Sequence, residues 1–432
     1  MSDSPPLEPG QPMELFKKAL ADDDAALLRD LLQRFPQAKA SINDPVAAFD
    51  SPAVIGVRSR EMLDALLEAG ADINAKSRWW AGGFGLLHTA EPGLAAYAIE
   101  RGAVVDAHAA ARLGLYKELS ELIAARPQLV HERGGDGQTP LHFASSVEIA
   151  ELLLACGANI DARDIDHEST PAQWMIRDRQ PVARFLIDRG CHTDILMAAA
   201  LGDAELVRRH LDADPASIHT CVTEEFFPKT DPRAGGTIYQ WTLGWYLSPH
   251  AVAKHFGHAE IFRLLMDRSP PEVKLVAACW EGDESATQEL LAQRPALVEK
   301  LSDAYCRHVA HAARNNNLAA VRIMLTAGFP VDALGQHGAS PLHWAAFHGN
   351  LEMVRALLPR HPPLEQKDRD FQSTPLGWAI HGSEHGWHCR TGDYAATVEE
   401  LLNAGAIMPQ KIAGSPPVRE VFLKRQTRPD NL

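Results

Sequence analysis

Apolar residues fall in short helical runs, each closed by a glycine or a proline: LLQRFP, LLEAGAD, AIERGA, LIAARP, LLLACGAN, FLIDRG, HLDADP, LLMDRSP, LLAQRP, MLTAGF, LLPRHP and LLNAGA. The closing residues are Pro36, Gly70, Gly102, Pro127, Gly157, Gly190, Pro215, Pro270, Pro295, Gly328, Pro362 and Gly405. Neighbouring marks lie 34, 32, 25, 30, 33, 25, 55, 25, 33, 34 and 43 residues apart. A single globular core has no reason to repeat at this interval. Stacked helix hairpins do, because each unit is too small to bury its apolar face alone.

The segment HGASPLHWAAFHGN shows how one unit is built. Ser340 suits the N-cap and Pro341 the first helical position, where a missing N–H is harmless. Leu342, Ala345 and Ala346 share one face of the first helix, at i, i+3 and i+4. Gly349 closes that helix, and Met353, Val354, Leu357 and Leu358 give the second its apolar face. The small alanines allow neighbouring hairpins to approach closely. Trp344, Phe347 and His348 make the opposite stripe of the first helix.

The frames Thr139-Pro140-Leu141-His142 with Gly157-Ala158-Asn159, and Ser340-Pro341-Leu342-His343 with Gly349-Asn350, resemble the ankyrin repeat. Weaker copies are Thr170-Pro171, Thr374-Pro375-Leu376, and Leu66-Leu67 with Gly70-Ala71-Asp72. The resemblance implies an all-α solenoid of about twelve helix pairs joined by short finger loops. It covers residues 13–410, split into a first array over 13–222 and a second over 248–410. Residues 1–12 are expected to be a flexible lead, and 411–432 a cap helix with a loose end. The resemblance also implies local hydrogen bonding for His88, His142 and His343, which stand at the histidine of the frame.

Several units depart from the pattern. Those around 103–127, 191–215 and 271–295 are too short for a projecting finger, and several early units have a shortened turn. Two others carry excursions. Residues 223–247, TEEFFPKTDPRAGGTIYQWTLGWYL, are too aromatic for a solvated linker, and the alternation in TIYQW predicts an extended finger. A second excursion lies near 382–392, in HGSEHGWHCRTGD. Long insertions in a short-loop architecture are either disordered or functional, and both belong with the second array, where they could fold over its groove.

In the ankyrin architecture the stripe occupied by Trp344 faces the concave groove. Laid on every unit, the frame gives a mixed first half and a ring-rich second half. The expected partner contacts are Trp241, Trp245, His255, Trp280, His311, Arg314, Trp344, Phe347, His348, Trp378 and His381. Tryptophan, arginine and aromatic rings are the types that anchor interfaces. The unit holding His255 fits least well, since its core stripe would be His250, Ala253 and Lys254. Trp79 and Trp80 fall on a finger tip, as a second contact patch or packed beneath the neighbouring finger.

The net charge of −14, from 42 basic and 56 acidic residues, opposes phosphate backbones and anionic lipid, so neither nucleic acid nor membrane is an expected partner. The amino terminus has no apolar segment to act as a secretory signal. Six cysteines without CxxC spacing read as reduced thiols of a cytoplasmic protein. No nucleophile motif or phosphate loop occurs, and no cofactor is implied. Across adjacent repeats His311 could pair with Glu281 or Asp303 as acid and base, and His348, His381, His385 and His388 are the candidates for a metal site, without standard ligand spacing. The leading expectation is a non-catalytic scaffold binding protein or peptide in the second groove. The alternative is a small-molecule site or enzyme, metal-dependent in one version, lidded by the two excursions.

Overall fold

The glycine and proline marks become two different helix endings. The computed structural model describes residues 11–426. Within it, Gly157 and Gly328 hold φ of +91° and +100°, the left-handed geometry that ends a helix without cost only at glycine. The proline marks instead start a new short turn. Tyr116–Ala125 runs into a 3-10 turn at Pro127–His131, and Ala204–Ala213 into Pro215–His219. These turns replace the finger in the short units.

Between the marks lie twelve pairs of short helical elements, from Gln11–Asp22 with Ala25–Arg34 to Pro375–His385 with Tyr394–Asn403. Two first elements, Ala53–Gly56 and Pro140–Phe143, are single 3-10 turns. With 59% helix and 2% strand the fold is an all-α repeat solenoid, as expected. Pro416–Gln426 caps the end by burying Val418 and Phe422. The expected flexible lead falls mainly on residues 1–10 and the expected loose end on 427–432; both lie outside the described residues.

The N-caps follow the sequence. Ser340 N donates to His343 Nδ1 (3.1 Å), and His343 Nε2 donates to Ser373 O (3.1 Å) on the next finger. His142 does the same between Thr139 N (3.1 Å) and Ser169 O (3.1 Å). His88 accepts from Gly85 N (3.2 Å) and meets Asp106 at 3.0 Å. Each frame histidine thus ties one repeat to its neighbour.

The chain divides into two compact units. One contains the residues through Met197 together with Val222–Gly244; the other contains Ala198–Cys221 and the residues from Trp245. Most of the first excursion therefore belongs with the early repeats. It is held there by Glu168, which accepts from Thr230 N (2.9 Å) and Asp231 N (2.9 Å), and by Ser169 Oγ, which accepts from Ile238 N (3.0 Å). TIYQW is not extended: Tyr239–Thr242 is a helical turn. Thr237, Ile238, Tyr239 and Gln240 are all buried, and a strand with one buried face cannot hide consecutive residues.

Trp79 and Trp80 are packed. Trp79 meets Phe49 edge-on at 5.1 Å, and the guanidinium of Arg233 lies 4.2 Å from the Trp80 ring. In the helix Pro249–His255, His250 and Ala253 are buried as the frame asks, but Lys254 is exposed.

Candidate functional site: an aromatic recess in the late repeats

Three inner helices of the second unit, His308–Arg314, Pro341–Phe347 and Pro375–His385, pack in sequence. The third is 11 residues long where the other two have 7. Its extra turn is the start of the second excursion. Gly382 makes this possible, since a Cβ there would stand 2.4 Å from Phe347 O. The chain then turns at Gly386 and lays Trp387 along Trp344, with ring centroids 6.0 Å apart and planes at 25°.

The result is a recess of about 390 Å³ walled by His337, Trp344, Phe347, Phe371, Trp378, His381 and Trp387. Its floor is rigid. Trp378 meets Trp344 edge-on at 4.9 Å, and its indole N–H donates to Asp368 Oδ2 (2.9 Å). The fully buried Asp368 also accepts from Phe371 N (2.6 Å) and Ser373 N (2.9 Å), so one carboxylate shapes the finger and orients the indole. At the mouth, Phe371 and Trp387 are 64% and 59% exposed. His337, at φ +61° on its finger tip, is tied to Asp370 (2.8 Å) and stands 5.2 Å from Phe371.

Arg314 lies beside this recess under four rings: Trp245 at 4.8 Å, Trp387 at 5.1 Å, Trp344 at 5.5 Å and Tyr246 at 5.8 Å. Its Nε donates to Gln336 Oε1 (2.7 Å). Ring faces stabilise the charge that burial opposes, and burial brings its pKa down to about 10. His311 stacks on Tyr246 at 3.7 Å with planes at 14°. Burial holds His311 well below the usual imidazole range, and its Nδ1 has no hydrogen-bond partner. No hydrogen bond joins His311 to Glu281 or Asp303 among the described residues, so the acid–base pair does not form. His348 donates from Nε2 to Arg314 O (2.9 Å), and burial lowers its pKa to about 4.

The expected contact residues therefore have unequal standing. Trp344, Phe347, Trp378 and His381 come together around the recess. The open groove gives way to a covered one, because the indoles of Trp344 and Trp378 are only 3% and 5% exposed. Arg314 and His348 are buried behind them. Trp245 and His311 are half-buried and packed on neighbouring rings. Trp280 and His255 border a separate recess of about 440 Å³ with Lys254 and Glu281. Trp241, 63% exposed, belongs to the other unit.

The four histidines weighed for a metal do not converge. His348 pairs with His388 (5.2 Å between rings) and His381 with His385 (5.0 Å), and no three-donor cluster involves them among the described residues.

The exposed walls Phe371 and Trp387 and the half-buried His337 fell outside the groove frame. Phe371 and His337 sit on fingers, and Trp387 in an excursion that no repeat register reaches. Their only trace in the sequence is a large ring at a loop position.

Models of ankyrin repeats match residues 250–370 and 309–406 with the three-copy form, and residues 136–165 with the single repeat. A stretch of 57 residues is 37% identical to palmitoyltransferase ZDHHC13 of Mus musculus, covering 13% of this chain and 9% of that protein. The chain thus spans under a tenth of that relative's length. No described helix is long and apolar enough to cross a membrane. Ankyrin repeats generally serve protein interaction. With the repeat frames, the hairpins and these matches in agreement, the chain is an ankyrin-repeat protein.

Proposed function

We propose that the protein is a non-catalytic scaffold, and that the aromatic recess of its second unit takes a bulky apolar side chain from a protein or peptide partner. The observation that carries this reading is the exposure of Phe371 and Trp387, 64% and 59%, at the mouth of a recess with a buried, hydrogen-bonded floor. Exposed rings beside a preformed concavity lose water on binding with few rotors to freeze. A preformed floor limits the reorganisation an incoming side chain must drive.

A second reading has one point in its favour. About 390 Å³ of mostly apolar wall lies within the range of small-molecule sites, so a free aromatic compound would suit the same space.

The test is a peptide-display selection on the wild-type chain, with counter-selection on a Phe371→Ala/Trp387→Ala variant. Enriched peptides that share one bulky apolar residue, and lose at least tenfold affinity for the variant, support the proposal. Peptides that bind both chains equally, or share only charged residues, overturn it.

A further inference from the structure

In the first unit, three side chains converge at a place the repeat frame does not explain. Asp136 stands at the tip of one finger, with φ +54°, and Asp166 and His167 at the tip of the next. His167 Nε2 lies 3.7 Å from Asp166 Oδ2 and 4.0 Å from Asp136 Oδ2. One donor atom from each residue falls within 4.8 Å of the other two. Asp136, Asp166 and His167 are 6%, 5% and 9% exposed.

The hydrogen bonds nearby leave these atoms over. Asp164 is committed to the finger, accepting from His167 N (2.8 Å), Ser169 N (2.7 Å) and Trp174 Nε1 (3.3 Å). Asp136 and Asp166 are additional acids beside it. Asp136 Oδ1 is buried with no hydrogen-bond partner; the Trp79 indole bears on the same carboxylate, but outside hydrogen-bonding geometry. His167 Nδ1 faces Gly236 O at 2.9 Å. A carbonyl only accepts, so Nδ1 carries the hydrogen, and in the neutral ring the Nε2 lone pair points toward two carboxylates. At 3.7 and 4.0 Å neither carboxylate is within hydrogen-bond distance of Nε2. Two acids and an imidazole lone pair facing one another in a buried space call for a cation.

We propose that Asp136, Asp166 and His167 bind one divalent transition-metal ion of the zinc class. Zinc–ligand bonds of about 2.0–2.1 Å place tetrahedral ligands roughly 3.4 Å apart, so the two separations from Nε2 need to close by only about 0.3 and 0.6 Å. The histidine already has the outer partner that metal-bound imidazoles use, a carbonyl on the opposite nitrogen. That carbonyl comes from the first excursion, and Gly235 keeps it close: a Cβ there would meet the His167 ring at 3.2 Å. His167 also borders a cleft of about 310 Å³ between repeat and excursion, which supplies an entry path and a fourth ligand from water.

The other three-donor group of this unit lacks the same opening. His88 hydrogen-bonds Asp106 at 3.0 Å, Lys76 pairs with the same carboxylate at 3.1 Å, and His108 Nε2 faces the carbonyls of Glu132 and Gln138 at 3.1 Å each. Its donors are already occupied.

The experiment titrates zinc into the chelator-stripped full chain against a chromophoric competitor, with Asp136→Asn and His167→Gln beside the wild type. One zinc per chain, weakened at least tenfold in each variant while circular dichroism stays unchanged, is the expected result. Failure of the wild type to take up zinc, or equal uptake by both variants, overturns the proposal. Cobalt(II) loading of the wild type needs no variant to fold. Paramagnetically shifted ring protons from a single histidine support the site, and shifts from several histidines, or from none, contradict it.

Discussion

Trp344 and Trp378 meet edge to face, centroids 4.9 Å apart and planes at 82°, and together they form the floor of the recess. Both rings also belong to the apolar core of the second unit. Floor and mouth therefore respond differently to truncation. Trp378→Ala removes a core ring and leaves Asp368 without an indole donor, so it should cost roughly 3–5 kcal/mol of stability. Trp387→Ala removes a ring that is 59% exposed and should cost under about 1 kcal/mol. Urea denaturation of the two variants measures the contrast.

Asp368 is a second point of failure. It accepts three N–H groups, from Phe371, Ser373 and Trp378, while fully buried. Asp368→Ala strands all three donors, and a destabilisation of about 2–4 kcal/mol is expected. Hydrogen exchange should show faster exchange at the amides of Phe371 and Ser373 than in the wild type.

Arg314 tests whether flatness matters as well as charge. A guanidinium stacks on rings that an ammonium meets only as a point. Arg314→Lys keeps the charge but loses the stacking on Trp245, Trp344 and Trp387, so the melting temperature should fall. A loss of about 1–2 kcal/mol is expected.

Buried histidines give the fold an acid limit. Burial lowers His142 to about 3, and His250 and His348 to about 4, from an ordinary 6.5. Their contribution is fully present above pH 6.5. Below it the unfolded chain takes up protons that the folded chain refuses, so stability falls progressively toward pH 4. Each histidine adds about 1.4 kcal/mol per pH unit to the slope. Thermal melts from pH 7 to pH 4 should show the decline, and His142→Gln should make it shallower.

The repeat was legible because its signals are local. A glycine at positive φ or a proline opening a turn writes each helix end into a few residues, as at Gly328 and Pro127. The stripe carrying Trp344, Phe347 and Trp378 was equally legible. Its covering was not. Whether Trp344 is open or shielded depends on Trp387, 43 positions later, reached through the close packing of Gly382 on Phe347. The aromatic excursion misled for a similar reason. Alternation in TIYQW suggests a strand, but Ser169 and Asp194, on two earlier repeats, hold Ile238 and Tyr239 inward together. The acid cluster at Asp136, Asp166 and His167 joins two fingers and the excursion, and no spacing in the chain announces it.

The most direct test of the recess is photo-crosslinking from a benzophenone side chain placed at position 381, an exposed wall residue, with a peptide obtained from the display selection. Adducts at that peptide's bulky apolar residue are the expected result, lost when Trp387 is replaced by alanine. A peptide that keeps its affinity yet crosslinks only from a benzophenone placed at position 280, in the neighbouring recess, would contradict the assignment.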